Sequence, residues 1–411
     1  MTAALTRWWP VLLLGLATIG AYGTVYYSIG VLIPVIGEAT GWSTSALAAG
    51  FSFGLLGTGG LALLAGRVFD RAGSRPVMLV ATVVGATLLL LASFAQESWQ
   101  FTLTWSLGAS VIGGGLYYNV TMPATARLYP DNRVAAFSVL TLLGALASPI
   151  FYPLTALLTD ALDWRGALQA LVGVTVACVL PAALFVQAPR ASSDARDASS
   201  QTLVEALYDP AVWRALLMFA LVGAANSAVL LHQVAIMEAA GLTLAAASGF
   251  AGARGFCQIG GRLVLVPLTS RFGLRGTIGV CYALAGTATL ALLVALLGPT
   301  SYVLLAYFAV VSGMSLGLLS PINGLFQAEV YGDTRLGTLS GITGVVTSAS
   351  AAGGAALAGV VIDVAGSYQP VLLGAAVIQL LGLGALLWQR SAGMSRSSTR
   401  QPVAVPGDAR P

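Results

Sequence analysis

Long apolar stretches dominate this chain, and short polar clusters punctuate them. Twelve such stretches can be drawn, at residues 10–36, 43–66, 76–95, 100–127, 134–159, 164–188, 212–237, 243–268, 276–297, 301–328, 336–364 and 368–389. A hydrocarbon core takes about 20 helical residues to cross, and each stretch has about that length. Lipid offers no partner to backbone N–H and C=O groups, so continuously apolar spans of this kind are helices. The pattern predicts an all-α membrane protein with twelve transmembrane helices.

Composition agrees. Of the 411 residues, 57% are hydrophobic and 8% charged, against about a quarter charged in soluble domains. All 19 basic residues are arginine, and their positions set an orientation. If the N-terminus is cytoplasmic, sixteen arginines fall in inner loops and tails and only Arg165 in an outer loop. The positive-inside rule then places both termini in the cytoplasm of a cell (inner) membrane protein. The formal charge of +4 reflects that topology and argues for no nucleic-acid partner. The opening MTAALTRWWPVLLLGLATIG carries Arg7 before an apolar run, as a secretory signal does. No small-residue cleavage site follows, so it reads as a retained first helix. Cys178, Cys257 and Cys281 all lie in spans, so neither a disulfide framework nor a metal site is expected.

The longest polar interruption, Ala188 to Pro210, divides the spans six and six. The expected organisation is a six-helix bundle over 1–188, a cytoplasmic linker at 189–211, a second bundle over 212–390 and a disordered tail at 391–411. The halves repeat one another: YPDNR at Tyr129–Arg133 recurs as YGDTR at Tyr331–Arg335, 202 residues on. Near the same offset, DRAGSR (Asp70–Arg75) answers to SRFGLR (Ser270–Arg275), and TDAL at Thr159 to IDVA at Ile362. Three landmarks in one order argue for a duplicated six-helix unit.

GRVFDRAGSRP, Gly66 to Pro76, resembles the signature loop between helices 2 and 3 of the major facilitator superfamily, and the resemblance extends over residues 8–390. It implies twelve helices in two pseudo-symmetric six-helix bundles, and secondary transport. In that superfamily the loop latches the halves in one access state, which nominates Asp70, Arg71, Gly73 and Arg75, with Arg133 and Arg335 at the repeated landmark. Gly66 and Gly73 suit a tight turn, and Asp70 can pair with arginines of its own loop or accept N–H bonds at a neighbouring helix end. The second copy has Ser270 where the first has the aspartate.

DWRGAL (Asp163–Leu168), ARLYPDNRVAAFS and an arginine inside helix 8 together resemble the branch of monocarboxylate porters and oxalate:formate antiporters. In that branch the helix 8 arginine binds the anion, and Arg254 matches it. The sequence also departs from the branch. Phe250 stands where animal monocarboxylate porters have an aspartate one turn earlier, and there is no lysine for helix 1 or helix 11, which disfavours a dianion.

Arg254 lies about 16 Å into helix 8, where a charge costs at least about 2.5–3.5 kcal/mol. It shares one helix face with Gln258 and Arg262. No Asp or Glu lies deep in any span, so an unpaired guanidinium facing a wet cavity would hold one carboxylate through two parallel N–H···O bonds. Arg262, nearer the inner end, reads as structural or as a relay. Tyr117, Tyr118 and Asn119 of helix 4, and Tyr22 and Tyr26 on one face of helix 1, lie too deep for the interfacial belt and should face the cavity. The expected substrate contacts are Arg254, Tyr118, Asn119, Tyr26, Tyr117, Gln258 and Asn226. Asn226 and Gln233 share a face of helix 7, and Tyr152 and Asn323 are weaker candidates. His232, the only histidine, is a candidate proton acceptor and equally a candidate structural residue.

These residues imply a transporter of a small organic anion, monocarboxylate-like, with coupling to a proton left open. The alternative is an exporter of a bulkier, mostly apolar drug or metabolite. An enzyme is not expected, since one histidine, three scattered cysteines and no deep carboxylate supply no catalytic constellation. The expected partners are the lipid bilayer and a small molecule, the expected unit is a monomer, and no cofactor is implied.

Overall fold

The computed structural model describes residues 2–189, 210–331 and 336–397. Arg335, most of the linker and residues 398–411 lie outside them, as do the side chains of Arg133 and Asn323. Every regular element among the described residues is helical, and they make twelve passes. The first pass is α1 (Thr2–Tyr22), a π turn (Gly23–Tyr27) and α2 (Ile29–Thr40). Next come α3 (Thr44–Ala72) and α4 (Ser74–Ala92), then a fourth pass built from α5 (Ser98–Leu116) and α6 (Tyr118–Leu128). The fifth pass is α7 (Arg133–Ala145) with the first part of α8 (Ala147–Phe185), which turns back at Asp163 to make the sixth.

The second half contains α9 (Pro210–Ala239), α10 (Leu244–Leu263), α11 (Leu265–Leu297), α12 (Tyr302–Tyr331), α13 (Leu336–Ala365) and α14 (Gln369–Ser397). The start of α11 prolongs the eighth pass until Gly273 reverses the chain. Helix α14 continues past Arg390, where the tail was expected to begin, as far as Ser397.

The outward faces are apolar. Leu64, Val83, Leu157, Leu263 and Val303 are all more than half exposed, a surface suited to lipid. By length and composition alone, eight stretches of the described residues could cross a membrane. The helix α10 is not among them, because one of its faces carries Arg254, Gln258 and Arg262.

The internal repeat is visible in the backbone. Six described residues have positive φ: Gly41, Gly73 and Asp163 in the first half, and Gly241, Gly273 and Gly366 in the second, 200, 200 and 203 residues later. Gly73 (φ 85°, ψ −176°) and Gly273 (φ 68°, ψ 172°) share one conformation, which residues with a Cβ rarely reach. The loop motif therefore survives in the second half as geometry, although its aspartate is absent.

Small residues let passes approach closely. Ser106 and Ser110 on α5 donate to the carbonyls of Gly50 and Gly54 on α3 at 3.1 and 3.3 Å. The second half uses the same device: a Cβ at Gly313 or Gly317 of α12 would collide with the backbone of Arg254 or Gln258 on α10. That close approach is what brings Ser312 to Arg254.

On the side away from the start of α1, here the far side, the halves are closed against each other. Asp363 near the end of α13 accepts from the backbone N–H groups of Thr44 and Ser45 at 3.1 and 2.7 Å, a carboxylate seated on the N-terminus of α3. Gly30 on α2 lies against the carbonyls of Leu230 and Leu231 on α9. Val31, Tyr152 and Ala156 of the first half pack into one core cluster with Val229, Val234 and Leu372 of the second.

Candidate functional site

Between the halves, on the side of the chain start, lies a cavity of about 430 Å³, within the roughly 300–1,000 Å³ of small-molecule sites. Its walls come from both halves: Tyr22, Tyr27 and Tyr118 from the first, and Asn226, Gln258, Arg262, Tyr282, Thr343 and Thr347 from the second. No carboxylate of the described residues lines it.

Arg254 is only 5% exposed and sits beyond the cavity wall, toward the far side. Its Nε donates to the Ser312 hydroxyl at 2.8 Å and its Nη1 to Gln233 Oε1 at 3.2 Å. The guanidinium carbon lies 5.5 Å from the centroid of the Phe308 ring. Its own compartment is nearly filled, at about 10 Å³, room for at most about one water. Asn226, Leu316 and Leu319 line both spaces and form the partition between them. Arg254 was expected to face the wet cavity without a partner; here it is enclosed and held by two neutral groups.

Gln233 joins this cluster to the other half. Its Nε2 donates to the Tyr152 hydroxyl on α8 at 2.6 Å, so one amide spans from Arg254 to the first bundle. A second polar line reaches the same compartment from α14: Gln379 donates to Asn226 Oδ1 at 3.3 Å and accepts from Thr289 at 3.1 Å.

The remaining expected contacts divide. Tyr118, Gln258 and Asn226 line the cavity. Tyr26 and Tyr117 do not: Tyr26 packs on Phe51 and Tyr27, and Tyr117 stacks on Tyr22 with centroids 3.8 Å apart. Asn119 is exposed and donates to the Gly114 carbonyl at 2.6 Å, satisfying an acceptor that the break at Tyr117 leaves without a helical donor. Tyr27 takes the place expected for Tyr26 because Gly23–Tyr27 is a π turn. A π turn inserts a residue into the helical repeat, so the partner of Tyr22 on the cavity face lies five residues on rather than four. His232 is 1% exposed beside the Ala355 backbone, and neither ring nitrogen makes a hydrogen bond of standard geometry. It lies outside the cavity lining.

The loop after α3 also differs from expectation. Asp70 forms its ion pair with Arg127 at the end of α6, while Arg71 and Arg75 are exposed and form no ion pair among the described residues. Arg127 also donates to the Pro189 carbonyl at 3.0 Å and lies 4.3 Å from the centroid of the Phe69 ring. Gly73 faces the Ala188 carbonyl, and Ser74 Oγ accepts from the Ala188 N–H at 2.9 Å. The described contacts of the loop therefore hold the end of the sixth pass, within the first half.

DWRGAL resolves into a structural corner. Asp163 Oδ1 accepts from the N–H groups of Arg165 and Gly166 at 2.7 and 2.9 Å, an N-cap for the sixth pass. Trp164 is buried, and Arg165 donates to the Ala95 carbonyl at 2.8 Å. Sequence reasoning missed Tyr27, Ser312, Gln379 and Arg127 as contributors. The paired glycines Gly313 and Gly317 could have flagged the close face beside Ser312, but no local signal marks the other three.

The family model described as Major Facilitator Superfamily matches residues 14–263. Rat monocarboxylate transporter 13 is 26% identical over 329 residues, 77% of this chain and 73% of that protein. Rat monocarboxylate transporter 4 is 32% identical over 181 residues, 43% of this chain and 36% of that protein. Multidrug resistance protein MdtL of Klebsiella pneumoniae is 28% identical over 182 residues, 44% of this chain and 45% of that one. The match thus spans less than half the length of the last two. The crystal structure of a mutant of nucleoside transporter NupG superposes with a TM-score of 0.80 at 14% identity, covering 93% of this chain and 99% of that one, a likeness of fold. With the repeated backbone turns, the twelve helical passes and the cavity between the halves, these matches place the chain in the Major Facilitator Superfamily.

Proposed function

We propose that this protein is a secondary transporter of a small organic anion, a short monocarboxylate, moved across the cell membrane by alternating access as a monomer. The observation that carries the reading is Arg254, a guanidinium buried in the membrane interior with only neutral hydrogen-bond partners among the described residues. Such a charge is costly in a membrane, and a carboxylate could replace Gln233 or Ser312 as a stronger, charge-assisted acceptor. The similarity to monocarboxylate transporters 4 and 13 supports the same class. With the bundles at 1–188 and 212–390 joined by a cytoplasmic linker and both termini inside, closure on the far side makes this arrangement inward-facing.

Uptake of labelled short monocarboxylates by proteoliposomes, with Arg254→Ala and Arg254→Lys alongside, tests the reading. Arg254→Ala is expected to lower transport by about 100-fold or more, the loss typical of a buried charge-assisted contact. Undiminished transport by the alanine variant would remove the assigned role. A second reading, export of a bulkier apolar compound, draws on the aromatic walls at Tyr22, Tyr27, Tyr118, Phe219 and Tyr282 and on the similarity to MdtL. Susceptibility of a deletion strain to hydrophobic toxins separates the two.

A further inference from the structure

The cavity and the compartment of Arg254 are different spaces, and the cavity has an arginine of its own. Arg262 lines the 430 Å³ space that Arg254 does not reach. Resting on the anion-transport reading above, we infer that Arg262, with Tyr118 and Asn226, forms a second anion-binding station. A small carboxylate would load there from the side of the chain termini before passing to Arg254.

Four observations converge on this station. The eighth pass runs from Leu244 through the start of α11 to the reversal at Gly273. Arg262 is therefore about 16 Å from that reversal along the helix and lies inside the membrane, not at its edge. Its described hydrogen bond, from Nη1 to the Thr141 carbonyl at 2.9 Å, occupies one of five guanidinium donors. The other polar side chains in the cavity wall are phenols, amides and threonine hydroxyls, with no carboxylate among the described residues to neutralise the cation. Finally, residues eight apart on an α-helix are separated by about 12 Å along its axis, and Arg254 is turned away from the cavity into its bonds with Ser312 and Gln233. The partition formed by Asn226, Leu316 and Leu319 lies between the two stations. Occupancy is therefore sequential: Arg262 receives the anion while Arg254 is enclosed by Gln233 and Ser312, and rearrangement of the partition hands it on.

A purely structural Arg262, serving only to tie α10 to α7, predicts something different. Losing the Thr141 bond would only weaken the far-side-closed conformation in which it is made, so KM would rise on the side of the termini and fall on the far side together. A loading station acts on one side only. Initial rates with a panel of labelled lactate, pyruvate, acetate and formate are therefore measured in intact cells, which load from the far side, and in inside-out vesicles, which load from the side of the termini. Arg262→Gln is expected to raise KM about tenfold or more in the vesicles and to leave KM in cells within about twofold, while Arg254→Gln abolishes transport in both. Arg262→Lys, which keeps the charge but loses the planar fork, is expected to show the same sided effect at smaller size, and serves where the glutamine variant does not accumulate. An unchanged KM in vesicles, an equal rise on both sides, or a rise in vesicles accompanied by a fall in cells overturns the station and leaves the Arg254 reading standing. Undiminished transport by Arg254→Gln overturns the Arg254 reading, and with it the handover. No transport of any panel member by the unmodified protein overturns both.

Discussion

Gln233 donates to the hydroxyl of Tyr152 at 2.6 Å across the two halves while its carbonyl accepts from Arg254. One amide therefore links the buried cation to the closure on the far side. Under the anion-transport proposal, a carboxylate arriving at Arg254 would compete for the contact that Gln233 now makes, and displacing that side chain would loosen its bond to Tyr152. Binding and opening would then share a part.

That link yields the first prediction. Gln233→Glu places a permanent carboxylate beside Arg254, so anion transport is expected to fall by about 100-fold, as for an occupied charge-assisted site. Tyr152→Phe removes only the acceptor across the halves, a change of about 1 kcal/mol. It is expected to leave substrate affinity nearly intact and to raise the reactivity of an engineered far-side cysteine several-fold. Radiotracer uptake and maleimide labelling read the two effects.

The pair of Asp70 and Arg127 is partly exposed, so its direct contribution to stability is small, about 0–1 kcal/mol. Its larger effect is expected on the end of the sixth pass, which Arg127 also holds through the Pro189 carbonyl. Arg127→Gln should therefore slow transport more than Asp70→Asn, with little change in thermal stability for either. Melting curves beside uptake rates check this, and equal rates in the two variants would contradict it.

Asp163 holds φ at 60°, in a region that costs a residue with a Cβ about 1–3 kcal/mol. At the equivalent turn of the second half the residue is Gly366, which adopts positive φ without that cost. The strained aspartate also caps the sixth pass. Asp163→Ala keeps the strain and loses the cap, so it should destabilise by about 1 kcal/mol. Asp163→Gly loses the cap and relieves the strain, and should be close to neutral. The order of the two melting temperatures decides.

His232 lies outside the cavity lining and is enclosed. Replacing it with Leu is expected to leave the pH dependence of transport unchanged while altering packing against α13. A flattened pH profile in His232→Leu would instead make it the coupling residue.

Much of this architecture was legible beforehand. Apolar length, the arginine distribution and three repeated landmarks pointed to twelve passes in two related halves, and charge at mid-span singled out Arg254. The candidate site was legible only in part. Tyr118, Gln258 and Asn226, expected to face the cavity, do line it, but Tyr27 lines it in place of Tyr26 because a π turn shifts the helical repeat by one residue, and apolar periodicity does not reveal such a shift. Asn119 read as a substrate contact and instead satisfies a backbone carbonyl at a helix break.

The division has a physical basis. Whether a segment crosses lipid depends on its own hydrophobicity and backbone hydrogen bonding, both local properties, so the sequence by itself determined the spans, the repeat and the presence of a costly charge at Arg254. The partners of polar groups depend on which helices approach, and at what depth. Asp70 meets Arg127 from 57 residues away, Arg254 meets Ser312 from 58, and Gln233 meets Tyr152 from 81. The last two encounters are set by close packing at Gly313 and Gly317 and by the closure of one half on the other. Only the tertiary structure could decide that the buried arginine and the cavity arginine stand in separate rooms.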